Sequence, residues 1–351
     1  MVSPGAELEK RLTESGMSRK ELAQRINVSE KHICTVLNGN RGISSAFARK
    51  LGYVFADTTF WVNLQAIYDE EQMKLKEMNL ISNEELAVLK PLQEIISYFV
   101  EKGYIENGCG DVEKVMRLRK FLNVSDLLLI PKITYNAAYR AQLSSNVKAD
   151  PYVLFAWQRL CEKVAEKDII DKTLNKEILK QKLQDIKAMM FGGINDGIRN
   201  LQDILKECGI SFHVVKNFKG APVQGFIKER YDHRLILCLT IRRQRADTFW
   251  FTLFHEIAHI LHGDYRMRFV DFDSIDNETE VNANLFAGNI LIAPELYRKF
   301  IRTNNCTTWS GIEAFAKEAQ VQPFIVLGRL QNDGILDWSD YANKVYRYTW
   351  A

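Results

Sequence analysis

The chain has 351 residues, 46% apolar and 26% charged, with a net charge of +3. That composition describes a globular protein of two or three domains and excludes a disordered or low-complexity chain. Six cysteines without a Cys-x-x-Cys pair read as reduced thiols. No secretory signal and no apolar run of membrane-spanning length are visible, so a cytoplasmic location without membrane contact is expected.

Near the start, Ser18-Arg19-Lys20-Glu21 is a capping box and predicts a helix ending near Ile26. Asn27-Val28 then turns the chain, because asparagine tolerates the left-handed conformation. Ser29 caps a second helix to about Leu37, closed by Asn38-Gly39. Leu22, Ala23, Val28, Ile33, Val36 and Leu37 would pack the pair as a helix-turn-helix. With Ser29 at its start, the second helix is expected to present Glu30, Lys31, His32 and Thr35 to base edges in a major groove. Residues 1–60 hold nine Lys/Arg and six Asp/Glu, so their net +3 equals that of the whole chain. Arg19 and Arg25, with Lys20, Lys31 and Arg41, suit phosphate contacts.

Ser3-Pro4-Gly5, the run from Arg19 to Leu37, and Phe60-Trp61-Val62-Asn63-Leu64-Gln65-Ala66-Ile67-Tyr68 resemble the HigA-type branch of the XRE regulators. Arg19 departs from the usual Gln of that family, and Asn27 from its frequent Gly. The resemblance implies a lambda-repressor-like helix-turn-helix domain over residues 1–68. It also implies operator DNA bound as a homodimer and a toxin as partner.

Residues 69–192 read as a helical connecting region without a chemical signature. Gly192-Gly193 marks the expected boundary with a domain over residues 193–351. A helix over residues 196–208, ended by Gly209, is followed by strand candidates at 210–216, 223–228 and 235–241. Helices beside a short sheet fit a zincin-like α+β layout in a mostly α chain. Arg242-Arg243-Gln244-Arg245 reads as a solvated basic loop.

His255-Glu256-Ile257-Ala258-His259 carries the chemistry. On a helix from about residue 248, with Asp247 as N-cap and Gly263 as stop, the two histidines share one face one turn apart. Both can reach one Zn²⁺, and Glu256 can take a proton from an activated water. Phe249, Trp250, Phe251, Leu253, Phe254, Ile257, Ile260 and Leu261 make that helix apolar nearly all round, hence buried. His262, Glu278 and Glu280 are candidates for a third ligand. Glu280 is favoured, because it shares a face with small Ala283 and Ala287, and such a face lets helices approach closely. Tyr265 and His262 are candidates for the oxyanion-stabilising group.

The run from Asp247 to His259, then Glu280-x-x-Ala283-Asn284-x-Phe286-Ala287, resembles the ImmA/IrrE-type metallopeptidases from about Asp196 onward. The resemblance implies zinc held by His255, His259 and Glu280, and cleavage of a repressor-type protein. The stretch 311–332, which also looks like helix-turn-helix, recurs in that family and reads as a cap on the metal domain. The leading expectation is a DNA-binding regulator with a zinc metallopeptidase domain that cuts a repressor, a toxin, or itself near residues 189–193. The alternative is a non-catalytic antitoxin or repressor whose metal site is structural or sensory.

Overall fold

The computed structural model describes residues 2–55, 57–133, 150–192, 194–241, 244–265 and 277–348. Gly193 of the expected boundary and Arg242 and Arg243 of the basic loop lie outside these. The chain forms two compact units, residues 1–86 and 87–351.

The first unit holds α1 (Pro4–Ser15), α2 (Arg19–Arg25), α3 (Glu30–Leu37), α4 (Ser45–Gly52) and α5 (Thr58–Leu80). Four serines set the starts: Ser3, Ser18, Ser29 and Ser44 each accept a backbone N–H of the helix they precede. Asn27 takes the left-handed turn between α2 and α3, with φ 51°. Leu8, Leu22, Ile33, Val36, Leu51 and Trp61 are buried at the centre. No break occurs at residue 68, where the domain end was expected, because α5 runs unbroken to Leu80.

The second unit opens with helices that include α6 (Gln93–Glu101), α7 (Asp111–Leu122), α8 (Pro151–Ala165) and α9 (Lys176–Ala188). After α10 (Ile194–Glu207) come β1 (Ile210–Val214), β2 (Gly225–Glu229) and β3 (Leu235–Leu239). β3 is the middle strand of the order β1-β3-β2, parallel to β1 and antiparallel to β2. Its five residues are all buried, as a continuous apolar run demands of a central strand. The expected boundary at Gly192-Gly193 does not separate compact units. Met190, just before it, is buried in the same core as the sheet and accepts the Gln322 N–H on its sulfur.

α11 (Ala246–His262) packs on β2 and β3, with α12 (Asn277–Leu291) alongside it. α13 (Pro294–Phe300), α14 (Trp309–Glu318) and α15 (Pro323–Asn332) follow. The helix-turn-helix-like stretch is α14 and α15. Ile312, Phe315, Ile325, Val326, Leu327 and Leu330 bury it in the same core as α11.

Candidate metal centre

α11 starts at Ala246, two residues before the expected start, and Asp247 is not its N-cap. The Asp247 carboxylate instead takes the Arg245 guanidinium, with Nη2 2.8 Å from Oδ2, and Arg245 also donates to Gln331 at 2.7 Å. The first N–H of the helix is taken by a distant carbonyl. Ala246 donates to Tyr346 at 3.0 Å, Tyr348 N–H donates to Gln244 at 2.7 Å, and Trp250 Nε1 donates to the Tyr348 hydroxyl at 2.8 Å. At the other end Gly263 stops the helix with φ 88°, a conformation glycine adopts without Cβ strain. Lys176 Nζ donates to the Leu261 carbonyl at 3.1 Å, placing positive charge on the negative end of the helix dipole.

His255 and His259 bring their Nε2 atoms to 3.0 Å of each other. Glu280 on α12 adds Oε2 3.3 Å from His255 Nε2 and Oε1 3.7 Å from His259 Nε2. Ala283 and Ala287 are fully buried, so the small-residue face is where the two helices meet. Glu278 is exposed. His262 is exposed too, its ring 6.0 Å from Phe286, and neither residue joins the three ligand groups. Tyr265 is buried in the core, with Lys176 Nζ 5.9 Å from its ring centre.

The rear nitrogens of both rings have partners that the sequence reading did not include. His259 Nδ1 donates to the Asp264 carboxylate at 3.0 Å, and His255 Nδ1 to Asn284 Oδ1, also at 3.0 Å. Nδ1 therefore carries the proton on each ring, and the Nε2 lone pairs face each other and Glu280. Two imidazole nitrogens and one carboxylate form a zinc-type donor set. Bonds of about 2.0–2.1 Å in a tetrahedron separate ligand atoms by roughly 3.4 Å, and the observed distances bracket that value. The residues present fit the ion. A second cluster of Glu106, Cys109 and Glu113 differs, because Arg117 already pairs with Glu106 at 2.6 Å and Glu113 at 2.8 Å.

Glu256 is 2% exposed and lies against Gly225 at the start of β2. A Cβ on Gly225 would overlap Glu256 Oε1, so the strand can carry no side chain there while the carboxylate holds its place. Gly225 is thus part of the site, and only the approach of strand to helix reveals it. Beside the centre, a cleft of about 500 Å³ opens between α11, α12 and α15.

In the first unit, Glu30 and Lys31 are exposed on α3. Ser29 Oγ is engaged as the N-cap, and Thr35 Oγ1 donates to the His32 carbonyl at 2.7 Å. His32 is not exposed as expected. Its ring packs 4.7 Å from Phe47 of α4, and Nε2 is enclosed without a hydrogen-bond partner among the described residues. Burial, then the charges of Arg41 and Lys50, hold its pKa below the usual histidine range. Arg19 pairs with Glu9 at 2.8 Å and Arg25 with Glu21 at 2.6 Å, both on the surface.

Residues 216–331 match the family model described as the IrrE N-terminal-like domain, peptidase M78. The N-terminal region is similar to virulence-associated protein A′ of Dichelobacter nodosus, 36% identical over 72 residues, which is 20% of this chain and 63% of that protein. It is also similar to the uncharacterized HTH-type transcriptional regulator YbaQ of Escherichia coli strain K12, 34% identical over 79 residues, or 22% of this chain and 66% of that one. The matched segments span a little under two thirds of these relatives. The second unit therefore contains an IrrE N-terminal-like domain of the peptidase M78 type, and the N-terminal region is similar to helix-turn-helix transcriptional regulators.

Proposed function

We propose that this chain is a DNA-binding transcriptional regulator with a zinc-dependent metallopeptidase domain, which cuts a repressor-type protein or a toxin in a stress or toxin–antitoxin circuit. The convergence of His255 Nε2, His259 Nε2 and the Glu280 carboxylate, with buried Glu256 one residue from the first ligand, carries this reading.

Zinc bound by these three groups supplies Lewis acidity toward a peptide carbonyl and lowers the pKa of water. The chain's own residues do the rest. Asp264 and Asn284 fix both rings with Nε2 inward. Glu256 is not among the three ligand groups, and its carboxylate would accept a proton from water and pass it to the leaving amine. Cleavage of the chain itself at residues 189–193 finds less support, because the Met190 side chain is packed in the core.

For the first unit, Lys31 and Glu30 on α3 reach base edges, with Ser29 and Thr35 beside them, and Arg19 and Arg25 lie along phosphates. His32 sets α3 against α4 through Phe47 rather than meeting a base. A homodimer on a palindromic operator completes the proposal.

The test is Glu256→Gln. Zinc content and operator binding should stay at wild-type levels. Cleavage of co-expressed repressors and toxins, read by mass spectrometry, should fall by about 10²–10⁴-fold. Wild type and variant that cut nothing and regulate identically under stress would remove the peptidase from the account.

A further inference from the structure

The cleft beside the metal centre carries an inference about substrate choice. It adjoins the centre through two residues beside His255, the ligand groups themselves lying outside its lining. Asn284, which holds His255 Nδ1, lines the cleft, and so does Phe251, whose ring centre is 6.4 Å from that of His255. A polypeptide whose carbonyl reached the metal would have a neighbouring side chain at the cleft entrance.

The charge balance of the cleft says which side chain. Among the described residues, Asp247, Arg329 and Asp333 are its only ionisable lining residues. Asp247 is paired with Arg245 at 2.8 Å. Asp333 accepts from Arg329 Nε at 2.9 Å and from the Tyr297 hydroxyl at 2.8 Å. Among the described residues each lining charge thus has a partner, and a charged guest would lose hydration without gaining a counter-ion from them. The remaining walls are more apolar than polar, with Phe251, Leu291, Ile292 and Ile325 inside beside the uncharged Gln224, Thr248, Thr252 and Asn332. At the rim stand Val281, Leu285 and Trp338, which are 47%, 54% and 54% exposed. Large apolar side chains held open to solvent around a concave, charge-balanced cleft are the pattern of a recognition site.

We infer that this cleft is a specificity site for a large apolar side chain, aliphatic or aromatic, adjoining the scissile bond of the polypeptide substrate. The inference rests on the metallopeptidase reading and names what that site selects. Leu285 and Trp338 at the rim determine the preference.

Two measurements on the full chain separate the inference from the reading beneath it. In the first, saturation-transfer difference NMR uses metal-free protein with the N-acetyl amides of leucine, phenylalanine, aspartate and lysine. Side-chain protons of the first two should receive saturation and those of the charged pair should not. Leu285→Trp should abolish the effect, with Val281→Trp as a second rim variant; both positions are exposed enough to accept the ring without disturbing the core. In the second, zinc-loaded protein is incubated with a mixed peptide library, and the cut positions are read by mass spectrometry. Leucine, methionine and phenylalanine should be enriched at one position flanking the bond. The rim variants should lower that preference by about tenfold or more, as expected when a pocket loses the room for a few methylenes. Equal saturation from charged and apolar amides, or profiles unchanged by both rim variants, overturns the inference. Selective binding of apolar amides with no peptide cut supports the cleft's selectivity and overturns the peptidase reading instead.

Discussion

The Asp264 carboxylate lies 3.0 and 3.1 Å from Nδ1 of His259, so the imidazole that faces the centre through Nε2 is held from behind by a negative charge. That charge favours the Nδ1–H tautomer and makes Nε2 a better donor to a metal. Asp264→Asn keeps the shape and removes the charge. We expect zinc affinity to fall about 10–100-fold, measured by competition with a chromophoric chelator. An unchanged affinity would reduce the contact to a tether for the loop after α11. Asn284→Ala should act in the same direction at His255, but less strongly, because a neutral amide is the weaker acceptor.

Metal content tests the ligand set itself. One zinc per chain is expected in the wild type, with severe loss in His259→Ala and Glu280→Ala, since two remaining ligands cannot complete the coordination. Elemental analysis of the purified proteins decides it. Full occupancy in Glu280→Ala would move the third ligand to Glu278 or His262.

Gly225→Ala tests whether β2 positions the proton carrier. The new Cβ would overlap Glu256 Oε1, and the carboxylate would have to move. Zinc should stay, because Glu256 does not hold it, while cleavage should fall by about 10²-fold, the usual penalty for a misplaced catalytic group. A variant that cuts at the wild-type rate would free Glu256 from dependence on the strand.

The Tyr348 hydroxyl, which receives the Trp250 N–H, has its pKa pushed up to about 12 by burial, from 10.0. A folded-state pKa above the unfolded one means that the native state holds the proton more tightly. The associated stability is complete below about pH 10 and lost as pH rises toward 12. Tyr348→Phe should cost about 0.5–1.5 kcal/mol near neutrality, where the hydrogen bond is lost. It should also flatten the alkaline decline, both read by urea unfolding. An identical decline in the two proteins would assign it to other groups whose pKa values burial raises, among them Cys208 and Tyr297.

For DNA, Lys31→Ala should relax sequence preference, and Arg25→Ala should lower the salt slope of binding by about one unit. Fluorescence anisotropy on the chain's own promoter over a salt series separates the two effects. Binding that survives deletion of residues 1–68 would place the DNA reader elsewhere.

Features set within a turn or two of chain were legible without coordinates. Ser18 and Ser29 announce the starts of α2 and α3, Asn27 their turn, and Gly263 the end of α11, because caps and left-handed turns depend on immediate neighbours. The three strand candidates appear as β1, β2 and β3, shifted or trimmed by one or two residues at their ends. That Glu280 lies beside the two histidines was legible across 21 residues because Ala283 and Ala287 mark the face on which α12 meets α11, and the resemblance to the ImmA/IrrE-type metallopeptidases pointed to the same residue.

Asp247 went the other way. Its side chain and position suit an N-cap, but the Arg245 guanidinium, held also by Gln331 86 residues on, offered a stronger partner than a backbone N–H. His32 turned inward because Phe47, on another helix, supplies a ring face that α3 alone does not contain. By itself, then, the sequence determined the His-Glu-x-x-His spacing, the helix ends and the strand segments, all products of local periodicity and capping. Only the tertiary structure decided how the centre is supported. Asp264 behind His259, Asn284 behind His255 and Gly225 beneath Glu256 are pairings that helix and strand packing creates, and no local periodicity encodes them.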